Sequence, residues 1–146
     1  MINLEYKTIK LKDVCEIQRC HGEIYPAGTV YLQVSATDKN IRILKMEQKL
    51  ESKYVRFDIK DEISTEYLYI AMQRTQEEFY ERYVGSNINI QVEALGEWEL
   101  QIHTDRETQE KMVNMIKKID EQSENEKKEI QRLRNLKKGM LEKLFV

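Results

Sequence analysis

The chain has 146 residues, 40% of them hydrophobic and 34% charged, with 26 acids against 24 bases. That length supports one compact core and one appended element, and the near balance of charge excludes a protein that holds nucleic acid by bulk positive charge. No window reaches the roughly 18 consecutive apolar residues of a membrane span, and the opening MINLEYKTIK lacks the apolar stretch of a secretion signal, so a soluble, cytoplasmic protein without membrane partners is expected.

In LKDVCEI, Leu11, Val14 and Ile17 recur at helical spacing, which predicts a short helix or a turn of helix. The stretch GEIYPAGTVYLQVSA holds Gly22, the single proline Pro26 and Gly28, then alternates through Val30 to Val34, and reads as a loop feeding a strand. Ile41–Leu44 and Tyr54–Ile59 alternate apolar with polar and predict two further strands, joined by the charged connection from Lys45 to Lys53. Ser64 is placed to cap a helix whose buried stripe is Leu68, Met72, Thr75, Phe79 and Tyr83, ended by Gly85. Arg74 and Arg82 read as surface partners of Glu77, Glu78 or Glu81 on that helix. After a polar segment, Trp98, Leu100 and Ile102 alternate as a last strand, with Trp98 in the core.

From Thr104 the pattern changes to one unbroken helix, opened by a capping box between Thr104 and Glu107. Steps of four and three residues run through Met112, Ile116, Ile119, Ser123, Glu126, Ile130, Leu133, Lys137, Met140 and Leu144, a heptad seam with three polar breaks. Some 40 helical residues reach roughly 60 Å, more than a head of about 100 residues needs for its own core. Such a helix calls for a partner helix, although packing back on its own head stays open. The expected division is a domain over 1–104 and the long helix over 105–146. Residues 1–104 carry 13 bases and 17 acids, yet within 16–56 seven bases (Arg19, Lys39, Arg42, Lys45, Lys49, Lys53, Arg56) face five acids.

Cys15 and Cys20 lie five apart with only His21 and His103 in the whole chain, which fits neither a zinc site nor a disulfide framework. Free thiols, ordinary polar histidines, no metal and no cofactor are expected. No glycine-rich cofactor turn, P-loop, G-x-S-x-G or Asn-Pro-Pro-Tyr motif is present. Asp58-x-Lys60 matches a fragment also found in metal-dependent nucleases, but Asp58 alternates outward between Phe57 and Ile59 and reads as a solvated strand residue.

With these residues in hand, the chain resembles the specificity (S) subunit of Type I restriction-modification systems, and in particular one half of it. KLKDVCEIQRC resembles the family's Leu-Gly-Asp-Val-x-x-Ile-x-x-Gly opening, with Lys12 and Cys20 where the family has glycine. EYLYIAM resembles its Pro-Glu-Tyr-Leu-x-x-x-Leu helix, and GSNINIQVEALGEWELQI its loop and final strand. RETQEKMVNMIKKID and RLRNLKKGMLEKLF resemble the start and the Leu-Lys-x-Gly-Leu-Leu-x-x-Leu-Phe end of its long helix. The resemblance covers nearly the whole chain.

It implies an α+β (α/β) target-recognition domain followed by one long C-terminal helix that forms an antiparallel coiled coil with a partner. It also implies a non-catalytic subunit that reads double-stranded DNA and docks methyltransferase (M) subunits and, in a restricting complex, a restriction (R) subunit. One head and one helix imply a two-fold homodimer reading a split palindrome. Base reading needs donors and acceptors on loops, which points to Arg19, His21, Tyr25, Gln33, Ser35, Lys39, Asn40, Arg42, Ser86, Asn87 and Asn89. Dimerisation falls to Met112, Ile116, Ile119, Ile130, Leu133, Met140 and Leu144. The alternative is an interaction protein that binds a methyltransferase or a full S subunit without reading DNA, favoured by the acidic head.

Overall fold

A computed structural model describes residues 3–35, 40–60, 63–85 and 89–145. The elements run β1 (Tyr6–Lys10), α1 (Leu11–Val14), β2 (Cys15–Arg19), β3 (Ile24–Tyr25), β4 (Val30–Gln33), β5 (Arg42–Ile43), β6 (Gln48–Lys49), β7 (Tyr54–Ile59), α2 (Thr65–Tyr83), α3 (Val92–Leu95), β8 (Glu99–His103) and α4 (Arg106–Leu144). This is an α+β domain followed by a long C-terminal helix, with compact units over 1–110 and 111–146.

Three antiparallel sheets build the first unit: the ribbon β1-β8, the four-stranded sheet β2-β7-β4-β5 and the small ribbon β3-β6. In the four-stranded sheet one row runs Ile17, Phe57, Val30, Ile43 across all four strands. The next runs Gln18, Arg56, Tyr31, Arg42. Because successive side chains point to opposite faces, the first row lies on the apolar face and the second opposite to it. Phe57 and Val30 are buried accordingly.

The expected helix over Leu11, Val14 and Ile17 is a single turn. Cys15 is already extended, and Ile17 belongs to β2, paired with Phe57. What ends the helix is strand pairing, which outcompetes a local periodicity of three residues. The turn itself is held from outside, by Leu11 and Lys12 amides donating to the carbonyls of Trp98 and Gly96 at 2.8 and 3.1 Å, and by Asp13 accepting the Lys10 amide at 3.2 Å.

Helix α2 starts as its sequence predicts, with Ser64 Oγ accepting the Tyr67 amide at 3.1 Å. It stops at Gly85, whose φ of +57° lets the amides of Val84 and Gly85 both reach the Tyr80 carbonyl. The helix lies along β8. The Tyr67 hydroxyl accepts the His103 amide and pairs with His103 Nδ1, Arg74 donates to Gln101 Oε1 at 2.7 Å, and Trp98 Nε1 donates to Thr75 Oγ1 at 2.9 Å. Arg74 is thus a strand partner and not a partner of Glu77, Glu78 or Glu81. Trp98 is fully buried and stacks on Phe79 with centroids 4.5 Å apart and planes 5° from parallel. Leu11, Leu68, Met72, Leu95, Leu100 and Ile102 are also buried.

The long helix begins one residue later than the expected capping box. Asp105, not Thr104, accepts the Thr108 amide at 3.2 Å and the Thr108 hydroxyl at 2.6 Å, and Thr108 in turn accepts the Asn3 amide. A carboxylate at this position also favours the positive end of the helix dipole. Helix α4 then runs 39 residues, straight through Gly139. Of the expected seam, Ile116, Ile119, Ile130, Leu133, Met140 and Leu144 are exposed in the single chain and Met112 is half-buried. Among the described residues no helix is long and apolar enough to cross a membrane.

Replacing Thr75 with valine leaves the buried Trp98 N–H without an acceptor. We expect a loss of about 1–3 kcal/mol in urea unfolding, with Thr75→Ser close to wild type. The exposed triad of Lys10, Glu97 and Lys12, with contacts of 2.6 and 2.7 Å, has a pH signature. Hydrogen bonds from the two ammonium groups hold the Glu97 carboxyl at about 2 instead of its ordinary 4.5. Its stabilisation is therefore whole above 4.5 and lost as pH falls toward 2. The stability gap between wild type and Glu97→Gln, followed by thermal melting, should close over that range.

Candidate nucleic-acid interface

Strand register gathers the polar residues at one end of the four-stranded sheet. Strand β2 ends at Arg19 opposite Val55, β4 ends at Gln33 opposite Tyr54, and Asn40, two residues before β5, falls at the same end when the β4-β5 register is continued. The Val34 amide donates to the Lys53 carbonyl and the Ile90 amide to the Val34 carbonyl, each at 2.9 Å, while Ser35 bridges to Asn89. A rim results that contains Arg19, Lys53, Gln33, Ser35, Asn40 and Asn89, assembled from segments up to 70 residues apart in the chain.

Ser35, Asn40, Asn89 and Arg19 are exposed and Gln33 is half-buried. Arg19 Nη1 donates to the Ser52 carbonyl at 2.7 Å, which holds the guanidinium along the rim. Arg42 is exposed on β5, two residues in from Asn40, and His21 is exposed in the loop after β2. Lys39, Ser86 and Asn87 lie outside the described residues. Lys53, which the sequence places only in a charged connection, joins the rim through its carbonyl's bond to Val34. Its position directly before the strand that begins at Tyr54 is the sequence signal for that placement.

Tyr25 stands apart from this rim. It is 9% exposed, in a small core with Cys20, Tyr31, Leu44 and Leu50. Its ring lies under the Arg56 guanidinium at 4.9 Å, and its hydroxyl accepts from Arg56 at 2.9 Å while donating to Glu23. The bond to Glu23, then burial, pushes its phenol up to about 12. Arg56 also donates to Asp58 at 3.1 Å and to Gln18. Asp58 is therefore the surface partner of Arg56, consistent with a solvated strand residue.

Donors and acceptors of this kind match base and phosphate chemistry: arginine for guanine, carboxamides for adenine, lysine for phosphate. Among the described residues no three metal-ligating side chains cluster, and burial pushes both thiols up, Cys15 to about 12, which keeps them protonated and inert.

No protein-family model matches the sequence, and no curated protein does. Solved structures do. The S subunit of a Type I restriction-modification system from M. genitalium superposes with a TM-score of 0.74 over 84% of this chain and 41% of its own, at 16% identity. The fold is that of Type I S subunits. The HsdS subunit from Thermoanaerobacter tengcongensis gives 0.62 over 84% of this chain and 39% of its own, at 12% identity. A chain from a structure concerned with complex assembly and conformational transition of the type I R-M system gives 0.66 over 88% and 41%, also at 12%. The present chain spans about two-fifths of the length of each of these three chains.

Tyr25→Phe keeps the stack on Arg56 but removes the hydroxyl that accepts from it. A hydrogen bond to a charged group contributes about 1.5–3 kcal/mol, so a destabilisation at the lower end of that range is expected in equilibrium unfolding, with circular dichroism unchanged.

Proposed function

We propose that this chain is a half-form DNA-specificity subunit of a Type I restriction-modification system. The observation that carries it is the S-subunit fold together with the rim of Arg19, Lys53, Gln33, Ser35, Asn40 and Asn89. On this reading the head is a target-recognition domain, and base reading falls to Gln33, Ser35, Asn40, Arg42 and Asn89, with Lys39, Ser86 and Asn87 in the same set. Arg19, His21 and Lys53 hold phosphates. Tyr25 acts through Arg56, which it positions. Helix α4 pairs with a second copy through Met112, Ile116, Ile119, Ile130, Leu133, Met140 and Leu144, and the two heads read a split palindrome. The subunit performs no catalysis. It positions methyltransferase subunits, and a restriction subunit joins them in a restricting complex, in the cytoplasm.

The test is DNA binding by the chain reconstituted with its methyltransferase subunit, across a randomised duplex library and a salt series. Sequence-selective binding with a steep salt dependence is expected. Salt-independent or unselective retention would instead mark an interaction protein that occupies the methyltransferase, a role the head's excess of acids favours. Within the selective complex, Lys53→Ala should weaken all sites alike and lower the salt slope by about one. Asn89→Ala should relax discrimination at one base pair by about 1–3 kcal/mol.

A further inference from the structure

Lys7 breaks the pattern of its own strand face. Opposite residues of β1 and β8 share a side of their ribbon, and the register puts Lys7 with Ile102 and Ile9 with Leu100. Ile102 and Leu100 are 1% and 0% exposed, so this is the inner side. Lys7 nevertheless stays exposed and makes no ion pair among the described residues. It lines a cavity of about 450 Å³, bounded by the ribbon, by Val14 and Ile63, and by the first turn of α4. Small-molecule sites commonly run from about 300 to 1,000 Å³.

Two further donors line the same cavity. Arg106 is exposed on the first turn of α4. The His103 ring is fixed by Tyr67, whose buried hydroxyl accepts the His103 amide at 2.8 Å and lies 2.7 Å from Nδ1. No other described residue offers that hydroxyl an acceptor. Its one proton therefore goes to Nδ1, because a buried hydroxyl with no acceptor is costly. The neutral imidazole then carries its hydrogen on Nε2, which bonds to no described residue. Gln109 donates to the His103 carbonyl at 2.7 Å and holds the same residue by its backbone. Val14 and Ile102, both buried, and the half-buried Ile63 supply an apolar floor, and the charged residues among the described lining are all cations.

We propose that this cavity binds a small organic anion, a carboxylate or phosphate monoester on a ring-sized apolar body. The anionic end accepts from Lys7 Nζ, His103 Nε2 and the Arg106 guanidinium. The body covers Val14, Ile63 and Ile102. An inorganic anion would leave that floor wet, and a neutral ring would leave the cations with water alone. Val14 precedes β2 at the end opposite Arg19, so this site is separate from the polar rim.

The experiment titrates the full chain with phenyl phosphate in phosphate-free buffer near neutral pH. Nuclear magnetic resonance follows the ring nitrogens of the two histidines, with His21 as the internal control, and calorimetry gives the affinity. Free protein should show His103 with its hydrogen on Nε2. Phenyl phosphate and benzoate should bind one per chain and shift His103 but not His21. Inorganic phosphate and benzyl alcohol should each bind about tenfold more weakly or worse. Lys7→Met and Arg106→Gln, on separate elements, should each weaken phenyl phosphate by about tenfold. Lys7→Arg should restore most of the loss, and Lys53→Ala on the rim should change nothing. Absence of saturable binding, a shift of His21 in place of His103, or inorganic phosphate binding as tightly as phenyl phosphate overturns the assignment. So does indifference to both Lys7→Met and Arg106→Gln.

Discussion

Strand β7 is the constraint from which the head follows. Val55, Phe57 and Ile59 face one way and Tyr54, Arg56 and Asp58 the other, with antiparallel neighbours on both sides. A slip of one residue would turn Phe57, 3% exposed, into water and drive a guanidinium into the apolar layer, at the cost of desolvating a charge. The core therefore specifies the register tightly. The same register decides which strand ends meet, so the rim is a consequence of core packing and not of any property of the loops themselves.

Arg56 shows what the opposite face of that sheet tolerates. Its side chain is only 20% exposed, and three of its donors are met by Asp58, Tyr25 and Gln18 while its plane rests on the Tyr25 ring. A half-buried cation is stable there because every element beside it offers an acceptor or a π face. This alters the electrostatics inferred from composition. The basic excess between residues 16 and 56 includes a cation already committed inside the fold, which leaves Arg19, Arg42, Lys45, Lys49 and Lys53 as its exposed members among the described residues.

Much of this was legible in the sequence where the signal is local. Ser64 and Gly85 bracket α2 through caps that need only their own turn, β7 alternates strictly, and 39 residues without proline give α4. The misses share a different cause. The extended state of β1 comes from pairing with β8, nearly a hundred residues away, and two-residue strands such as β3 and β6 are too short for any periodicity to show. Ile17 sits at helical spacing from Val14, yet Phe57 claims it for the sheet. Arg74 had three acidic neighbours on its own helix and bonds instead to Gln101 across a tertiary contact. In the candidate site, residue types nominate donors and acceptors, but the meeting of Ser35 with Asn89 and of Lys53 with Val34 depends on non-local register that spacing does not encode.

On the proposed reading the rim and the helix face place opposite demands on the chain. A head with more acids than bases gains little from counterion release on its own, because few cations reach phosphates. On the proposed reading this weakness is an asset. A single head releases wrong sequences readily, and usable affinity arises only when two heads are joined, since binding of the second then becomes intramolecular at a high effective concentration. The apolar face of α4 must therefore be strong enough to pair, and its polar interruptions specific enough to hold one spacing. An all-apolar seam would pair more tightly but in several registers, and each register would present the two rims at a different separation. On that reading Ser123 and Glu126 would give up seam stability for a single geometry, the quantity that reading a split site requires.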